Sequence, residues 1–329
     1  MTLRTQRNAA IVTTLRNAGP VLDSFVAYHR AIGFAHLFLF FDDPADANLQ
    51  RAGAMPDVTA IACDASLRDV WKSLPGYRHF GATADSEVMS RQLLNVEHAI
   101  GLARALGFDW LLNIDADELF FSPNQSVAEH FAELDAAGVE TISYLNYEAV
   151  PEREAIDDYF REVDLFKLPL GPVQDGLASV LQRVQRDVPQ LTPFFHFYSN
   201  GKSAVRVSVD GIEPEGVHRF RRIGGRITAA RSARQFVLHY ACCGFEAFWT
   251  KYATLGRFAD KWWGRYAIAE SIGTFHLEAR DVVTLEGREK ARAFYRQRLA
   301  ITDKARAEEL IRLGLLTRLD QPRRILSGL

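Results

Sequence analysis

The chain has 329 residues, a formal net charge of -2 and three cysteines. This length suits one large α/β domain or two domains, and the near-neutral charge gives no sign of a nucleic-acid partner. Three cysteines exclude a disulfide framework and favour a reducing compartment. No run of about 20 apolar residues predicts a transmembrane segment, and no apolar signal segment opens the sequence, so a cytoplasmic location is expected.

The first part of the chain alternates predicted strands and helices. Apolar runs predict strands at residues 9–15, 36–41 and 58–62, with a helix after a turn that ends at Pro20. The spacing of apolar residues predicts a longer helix over residues 86–106, followed by a strand at 110–114. A capping box of Ser126 and Glu129 predicts a helix to Ala136, and a strand is expected at 141–145. This alternation is typical of a parallel sheet with right-handed crossovers.

The rest of the chain is less regular. Residues 71–83 are predicted to form a loop, and residues 147–193 are broken by glycine and proline. Residues 194–209 predict two strands joined by a hairpin turn at Ser199-Asn200-Gly201. A further strand is expected at 236–240, and the chain is predicted to turn helical beyond Gly244, with later helices at 288–299 and 304–313. This tail is interpreted as a helical appendage.

The stretch GFDWLLNIDADELFFSP, residues 107–123, joins a short apolar strand to an acidic cluster. Side chains alternate along a strand, so Asp115 and Asp117 should project to the same side. Adjacent carboxylates repel each other unless a cation joins them, and their oxygens suit Mg²⁺ or Mn²⁺. Such an ion leaves positions open for a diphosphate and stabilises it as it leaves. The alternative is an ordinary acidic turn at a strand end, because short acidic motifs are common.

Other polar groups are expected beside this cluster, because the carboxyl ends of parallel strands meet at one edge of an open sheet. The end of the first strand and the pair Asp42–Asp43 should lie there with Asp115. Lys202 is singled out as a cation for a diphosphate, although a solvated edge is the alternative for the basic residues around it. His239, at the end of a late strand, is a candidate third metal ligand, and His218 is its rival.

Several segments, in the same order, resemble the GT-A glycosyltransferases, and in particular a group similar to families 2 and 92. Residues 14–43 resemble that group's opening, in which a strand and a polar turn lead to a helix ending in Tyr-His-Arg-x-x-Gly-Phe. Residues 90–120 resemble its helix and Asp-x-Asp strand, and shorter similarities lie at 200–207, 216–220 and 238–252. The chain departs from the group at Ala18, where an acidic residue is common, and in residues 147–193.

The resemblance implies a nucleotide-sugar donor, UDP- or GDP-linked, and a divalent metal, usually Mn²⁺. It implies that Asp115 and Asp117 bind the metal and the diphosphate, and it favours His239 over His218 as the late metal-binding histidine. Contacts to the donor are implied for Thr14, Arg16, Asp42, Asp43 and Arg91.

The expected fold is an α/β, Rossmann-like, mostly parallel sheet flanked by helices. A GT-A-like domain would span residues 1–243, with a donor half to about residue 122 and an acceptor half from there to residue 243. The C-terminal helical extension would span residues 244–329.

A general base is needed if the reaction inverts the anomeric centre. Asp175 precedes Gly176 and a predicted helix at 177–184, so it could lie at the floor of an acceptor site. Glu148 is the second candidate, and the same segment also offers Glu152 and Asp164. The sequence does not choose among them, and it identifies neither the acceptor nor the stereochemistry of transfer.

Two other functions stay open. A haloacid-dehalogenase-type phosphatase also places Asp-x-Asp after a strand, and Asp115 would then be the nucleophile. That class expects the motif near the chain start and a later lysine and acidic pair. A non-catalytic nucleotide-sugar-binding domain would keep the donor residues but lack a competent base or acceptor site.

Overall fold

The computed structural model describes residues 9–19, 21–170, 179–262, 266–267 and 273–329. The strands are β1 Ala9–Leu15, β2 His36–Phe41, β3 Val58–Ala62, β4 Trp110–Asn113, β5 Glu118–Phe121, β6 Thr141–Tyr144, β7 Asn146–Ala149, β8 Leu165–Lys167, β9 Lys202–Arg206, β10 Ile212–Pro214, β11 Phe220–Arg222, β12 Ala229–Arg231, β13 Phe236–His239, β14 Lys261–Trp262, β15 Tyr266–Ala267 and β16 Leu316–Arg318.

The α-helices are α1 Val21–Ala31, α2 Asn48–Gly53, α3 Ala65–Lys72, α4 Tyr77–Phe80, α5 Val88–Ala105, α6 Val127–Ala136, α7 Tyr159–Glu162, α8 Val180–Asp187, α9 Thr192–Phe195, α10 Phe245–Leu255, α11 Gly273–Asp281, α12 Arg288–Arg298, α13 Lys304–Arg312 and α14 Gln321–Ser327. Short 3₁₀ turns lie at Gly81–Thr83 and Pro189–Leu191, and a π-helical turn lies at Val282–Glu286. No helix among these is long and apolar enough to cross a bilayer. The cytoplasmic location stays a prediction.

The chain divides into two compact units, and each unit is discontinuous in sequence. Unit 1 combines the residues up to Tyr144 with Gly201–Phe236, and unit 2 combines Leu145–Asn200 with Val237–Leu329. The sequence-based boundaries, which separate a donor half, an acceptor half and a C-terminal extension at residues 122 and 243, stay a prediction.

Unit 1 is built on a seven-stranded sheet with the strand order β12-β6-β9-β4-β1-β2-β3. Strands β1, β2, β3 and β4 run parallel, and β9 runs antiparallel between β4 and β6. Strand β6 therefore runs in the same direction as β4, and β12 lies parallel to β6. The predicted α/β class, with a mostly parallel sheet flanked by helices, is confirmed.

The apolar runs of β1 and β2 explain their central place in this sheet. Strands of a parallel sheet are covered on both faces, so they are apolar almost throughout. Phe38 and Phe40 of β2 are fully buried, and they share a core cluster with Val12 of β1. Helix α5 contributes Leu94 and Ile100 to the same cluster. The predicted strands at 9–15, 36–41 and 58–62 have the observed bounds of β1, β2 and β3.

The helix α6 begins as its sequence predicts. The Ser126 hydroxyl accepts from the Glu129 N–H at 3.2 Å, and the Glu129 carboxylate accepts from the Ser126 N–H at 2.9 Å. These two bonds satisfy N–H groups that the first turn of a helix cannot pair internally. The capping box is confirmed.

Two local predictions are wrong. The first strand of the predicted hairpin at 194–209 is replaced by the short helix α9, with Pro193 in its first turn, where no intrahelical N–H is lost. The predicted loop at 71–83 is largely helical, because α3 runs to Lys72 and α4 follows. The Asp64 side chain caps α3 by accepting from the Leu67 N–H at 3.1 Å.

Unit 2 contains strands in the order β16-β8-β7-β13, where β7 and β13 are parallel and the other pairs are antiparallel. The predicted helices at 288–299 and 304–313 are confirmed as α12 and α13. The C-terminal tail also supplies β16, which the sequence did not predict and which pairs with β8. The helix expected at 177–184 is observed as α8, beginning at Val180.

Candidate functional site

The carboxyl ends of β1, β2 and β4 meet at one edge of the unit 1 sheet. The N–H of Asp42 donates to the carbonyl of Leu15 at 2.9 Å, just where β1 and β2 end. The N–H of Ile114 donates to the carbonyl of Val12 at 3.2 Å, at the end of β4. The residues that follow the three strands therefore share one edge, as the chain order predicted.

Arg91 on α5 binds the carboxylate of Asp42 through two N–H groups. Arg91 Nη2 lies 2.9 Å from Asp42 Oδ2, Nε donates to Oδ1, and Nη1 donates to the Ala84 carbonyl at 2.8 Å. The side chains are 12% and 4% exposed. Burial alone would lower the Arg91 pKa, but the hydrogen bond and charge of Asp42 raise it above its ordinary value. Two predicted donor contacts thus engage each other in a bidentate pair.

The loops after β1 and β2 are joined by Asp46, which the sequence analysis missed. Asp46 Oδ2 accepts from the Asn17 N–H at 2.7 Å, and Oδ1 accepts from the Asn48 N–H at 2.9 Å. Asn17 has a φ of 53°, a left-handed conformation that asparagine tolerates better than most residues. The predicted contact Asp43 accepts from the N–H of Ala45 at 2.9 Å. An Asp two residues before an Asn at a helix start was the available signal.

Thr14, a predicted donor contact, is held by a residue of α5. Asn95 Nδ2 donates to Thr14 Oγ1 at 2.9 Å, and Asn95 Oδ1 accepts from the indole N–H of Trp71 at 3.1 Å. Asn95 is fully buried. Arg16, which follows β1, is exposed. The edge of the sheet thus combines an ordered hydroxyl with an exposed guanidinium.

The acidic cluster forms a tight turn. Strand β4 ends at Asn113, so the alternation of a strand does not decide where Asp115 and Asp117 project. The Glu118 N–H donates to the Asp115 carbonyl at 3.1 Å, and Glu118 Oε2 accepts from the Asp115 N–H at 2.7 Å. Glu118 therefore closes the turn from both its backbone and its side chain. Asp117, inside the turn, is half-buried.

Lys202, at the start of β9, lies against this turn. Its ammonium is 2.6 Å from Asp115 Oδ2 and 3.6 Å from Glu118 Oε2, and its side chain is only 3% exposed. Burial alone would lower the Lys202 pKa, but the charges of Asp115 and Glu118, the hydrogen bond to Asp115 and the charge of Asp117 raise it above its ordinary value. The predicted cation is thus brought to the predicted metal-binding carboxylate.

The two candidate histidines lie in different units. His218, in unit 1, donates from Nδ1 to the Gly201 carbonyl at 2.7 Å, next to Lys202 in the chain. His239, in unit 2, is hydrogen bonded through Nδ1 to Glu148, and both side chains are 8% exposed. A bond from Nδ1 to an oxygen makes Nε2 the nitrogen that carries the lone pair of a neutral ring. In a neutral ring, either histidine would thus present Nε2 to a metal.

The structure describes one of the two predicted general bases. Glu148 lies on β7, where its carboxylate also accepts from Asn146 Nδ2 at 2.9 Å. Asp175 lies outside the described residues. The choice of base stays a prediction.

Unit 2 also buries a lysine that the sequence analysis did not single out. Lys167 faces Glu148 in the register of β7 and β8, and its ammonium donates to the Phe194 carbonyl at 2.6 Å. The same ammonium lies 3.9 Å from the centre of the Phe194 ring. Burial lowers the Lys167 pKa to about 7, against the charge of Glu148, which raises it. Glu148 thus has a histidine and a lysine as neighbours.

The acidic turn has the chemistry of a divalent-cation site. Its carboxylate oxygens are the ligands that Mg²⁺ and Mn²⁺ prefer. Both oxygens of Asp115 are already engaged, Oδ2 by Lys202 and Oδ1 by Gln92 Nε2 at 3.2 Å. Within the part of the chain that the structure describes, no three His, Cys, Asp or Glu side chains converge to hold a metal. A metal at Asp115 would therefore share these oxygens with the Lys202 and Gln92 donors.

Fold and site together define an α/β protein with charged residues along one edge of its mostly parallel sheet. Over 320 residues the chain is 26% identical to an Arabidopsis thaliana protein named glycosyltransferase-like, covering 93% of this chain and 68% of that protein. A second Arabidopsis thaliana protein of that name is 26% identical over 321 residues, covering 93% and 60%. Both names agree with the predicted class of enzyme. The chain spans about two thirds or less of these relatives.

Among solved structures, core-mannan synthase A from Aspergillus fumigatus, in its Mn/GDP form, is 14% identical to this chain with a TM-score of 0.26. The match covers 47% of this chain and 46% of that one. A TM-score of this size does not establish a common fold. No protein-family model matches the chain.

Proposed function

We propose that this protein is a metal-dependent glycosyltransferase of the GT-A type, which transfers a sugar from a UDP- or GDP-linked donor to an acceptor. The observation that carries the proposal is the meeting of Thr14, Asp42 and Asp115 at the carboxyl edge of one parallel sheet, each held by a partner. Ligands of open α/β sheets bind at such an edge. The similarity to two glycosyltransferase-like proteins over 93% of the chain supports it.

The donor would lie along this edge. Thr14 and Arg16 would contact the nucleoside, beside the Asp42–Arg91 pair and Asp43. Asp115 and Asp117 would hold a divalent cation with the diphosphate. His218 of the same unit would be a further ligand, and the sequence-based choice of His239 stays a prediction. The bound cation would supply Lewis-acid stabilisation of the leaving diphosphate. Lys202 adds a positive charge at the same place.

The acceptor side of the proposal rests on the two predicted general bases. If transfer is inverting, Glu148 or Asp175 would take the proton of the acceptor hydroxyl. Glu148 is hydrogen bonded to Nδ1 of His239, which holds the carboxylate in a fixed orientation. The proposal does not specify the acceptor molecule.

The test is a donor-hydrolysis assay with a panel of UDP- and GDP-sugars, with Mn²⁺, with Mg²⁺ and with EDTA. Wild-type protein is compared with Asp117→Asn and with Asp69→Asn, an exposed aspartate of α3 whose pair with Lys72 is surface-screened. We expect one donor to be hydrolysed only with metal, and Asp117→Asn to lose the activity that Asp69→Asn keeps. A folded protein that binds a donor but never hydrolyses or transfers it would indicate the non-catalytic alternative.

A specific contact keeps the phosphatase as the second candidate. Asp115 pairs with a buried lysine from later in the chain, and a phosphatase with an aspartate nucleophile expects such a lysine. Against it, β1, β2 and β3 precede the motif. Hydrolysis of phosphate monoesters, lost in Asp115→Asn, would favour this candidate over the glycosyltransferase.

A further inference from the structure

Lys202 brings a cation of the protein's own to the acidic turn. Its ammonium lies 2.6 Å from Asp115 and 3.6 Å from Glu118, and 3% of its side chain is exposed. A buried ammonium that loses its carboxylates keeps the full cost of desolvation. The pairing is therefore the stable arrangement of these three side chains when nothing else is bound.

Glu118 makes this arrangement rigid. Its Oε2 accepts from the Asp115 N–H at 2.7 Å while facing the Lys202 ammonium. The side chain of Glu118 is 4% exposed, so it has little water to replace these partners. Together, Lys202 and Glu118 thus fix the orientation of the Asp115 carboxylate.

A divalent cation at Asp115 would compete with this ammonium. Asp115 Oδ2 already accepts from Lys202 and Oδ1 from Gln92. A metal on either oxygen would share that oxygen with its present donor, and it would lie close to a like charge that is buried and hard to screen.

We propose that Lys202 is the resident cation of the acidic turn, and that it keeps divalent metal weakly bound until the diphosphate of the donor arrives. This inference rests on the proposed function for its second half only. A diphosphate adds negative oxygens for both the metal and the ammonium, so the two cations no longer compete for Asp115 alone. Metal therefore binds with the donor rather than before it.

The experiment measures Mn²⁺ binding to the full chain without any nucleotide, from the loss of the free Mn²⁺ EPR signal. Wild type is compared with Lys202→Met and with the double variant Glu118→Gln/Lys202→Met. The double variant removes one negative and one positive charge, so its net charge equals that of wild type. It also keeps the comparison valid if Lys202→Met alone does not fold.

We expect both variants to bind Mn²⁺ about tenfold more tightly than wild type, because the competing ammonium is gone. In the double variant this gain cannot come from a change in net charge. Adding UDP or GDP should tighten Mn²⁺ binding more in wild type than in the variants. Equal Mn²⁺ affinity of wild type and the double variant without nucleotide would overturn the proposal. Because that comparison uses no donor, a failure of the proposed function would leave it intact.

Discussion

His29 accepts a hydrogen bond from the backbone N–H of Phe120, with Nε2 and N 3.2 Å apart. The other ring nitrogen donates to the carbonyl of Phe25 at 2.9 Å, and the neighbouring Tyr28 hydroxyl donates to the Phe120 carbonyl at 3.0 Å. Helix α1 therefore holds both backbone groups of a residue in β5, two positions after Glu118. The Tyr-His pair that marked the end of this helix in the sequence fixes the strand that follows the acidic turn.

The His29 bond requires a neutral ring, and this gives a pH prediction. Burial lowers the His29 pKa to about 3, although the hydrogen bond to the Phe25 carbonyl raises it. Below the ordinary pKa of about 6.5 the unfolded chain binds a proton that the folded chain does not, so stability falls as pH falls towards 3. We expect His29→Gln to reduce the slope of unfolding free energy against pH by about 1.4 kcal/mol per unit between about pH 4 and 6.

The measurement for this prediction is urea unfolding at several pH values. His79→Gln, a change at an exposed histidine, is the matched control. Burial also lowers the pKa values of His130 and His276, so part of the pH dependence remains in His29→Gln. The difference in slope between wild type and His29→Gln therefore gives the contribution of His29. Parallel slopes for wild type and His29→Gln would contradict the prediction.

Removing Lys202 should destabilise unit 1, because Glu118 would remain as a buried carboxylate without its cation. We expect Lys202→Met to cost about 3 kcal/mol of unfolding free energy. Adding Glu118→Gln should recover more than half of this loss, since the buried charge is then removed as well. Chemical unfolding of the two single variants and the double variant gives the coupling, and additive effects would show that the pair is not linked.

Asn95 should matter for stability although it lies in no predicted site. Asn95→Leu keeps the branched shape and the number of side-chain heavy atoms but leaves the buried indole N–H of Trp71 without its acceptor, at a cost of about 2 kcal/mol. The thermal midpoint measures this cost. In a Trp71→Phe background, which lacks the indole N–H, the same substitution should cost clearly less. An equal cost in both backgrounds would mean that the hydrogen bond contributes nothing.

We expect Arg91→Lys to destabilise the protein although it keeps the positive charge. A lysine cannot make the two bonds to Asp42 together with the bond to the Ala84 carbonyl, so we expect a loss of about 2 kcal/mol. Arg51→Lys is the control, because Arg51 and its partner Asp23 are both more than a third exposed. Chemical unfolding should show a loss for Arg51→Lys well below that for Arg91→Lys, and equal losses would count against a special role for the Asp42 pair.

Much of the fold of unit 1 could be predicted from the sequence, for a physical reason. Strands β1 and β2 are apolar because both faces are covered, and α6 carries its capping box in adjacent residues, so both signals are local. The sequence did not predict which side chains bind the residues at this edge of the sheet. Arg91 is 49 residues from Asp42, and Lys202 is 87 residues from Asp115, so only the fold decides these pairs. In residues 147–193 the strands β7 and β8 are three or four residues long, too short to show a period.

Thermal unfolding against a panel of nucleoside diphosphates and nucleotide sugars, with Mn²⁺, with Mg²⁺ and with EDTA, tests whether the protein binds a nucleotide-sugar donor. A ligand that binds only the folded protein raises the melting temperature. We predict a metal-dependent rise with one nucleotide, lost in Asp117→Asn and kept in Asp69→Asn. No rise with any nucleotide, in a protein that unfolds cooperatively, would contradict the glycosyltransferase assignment.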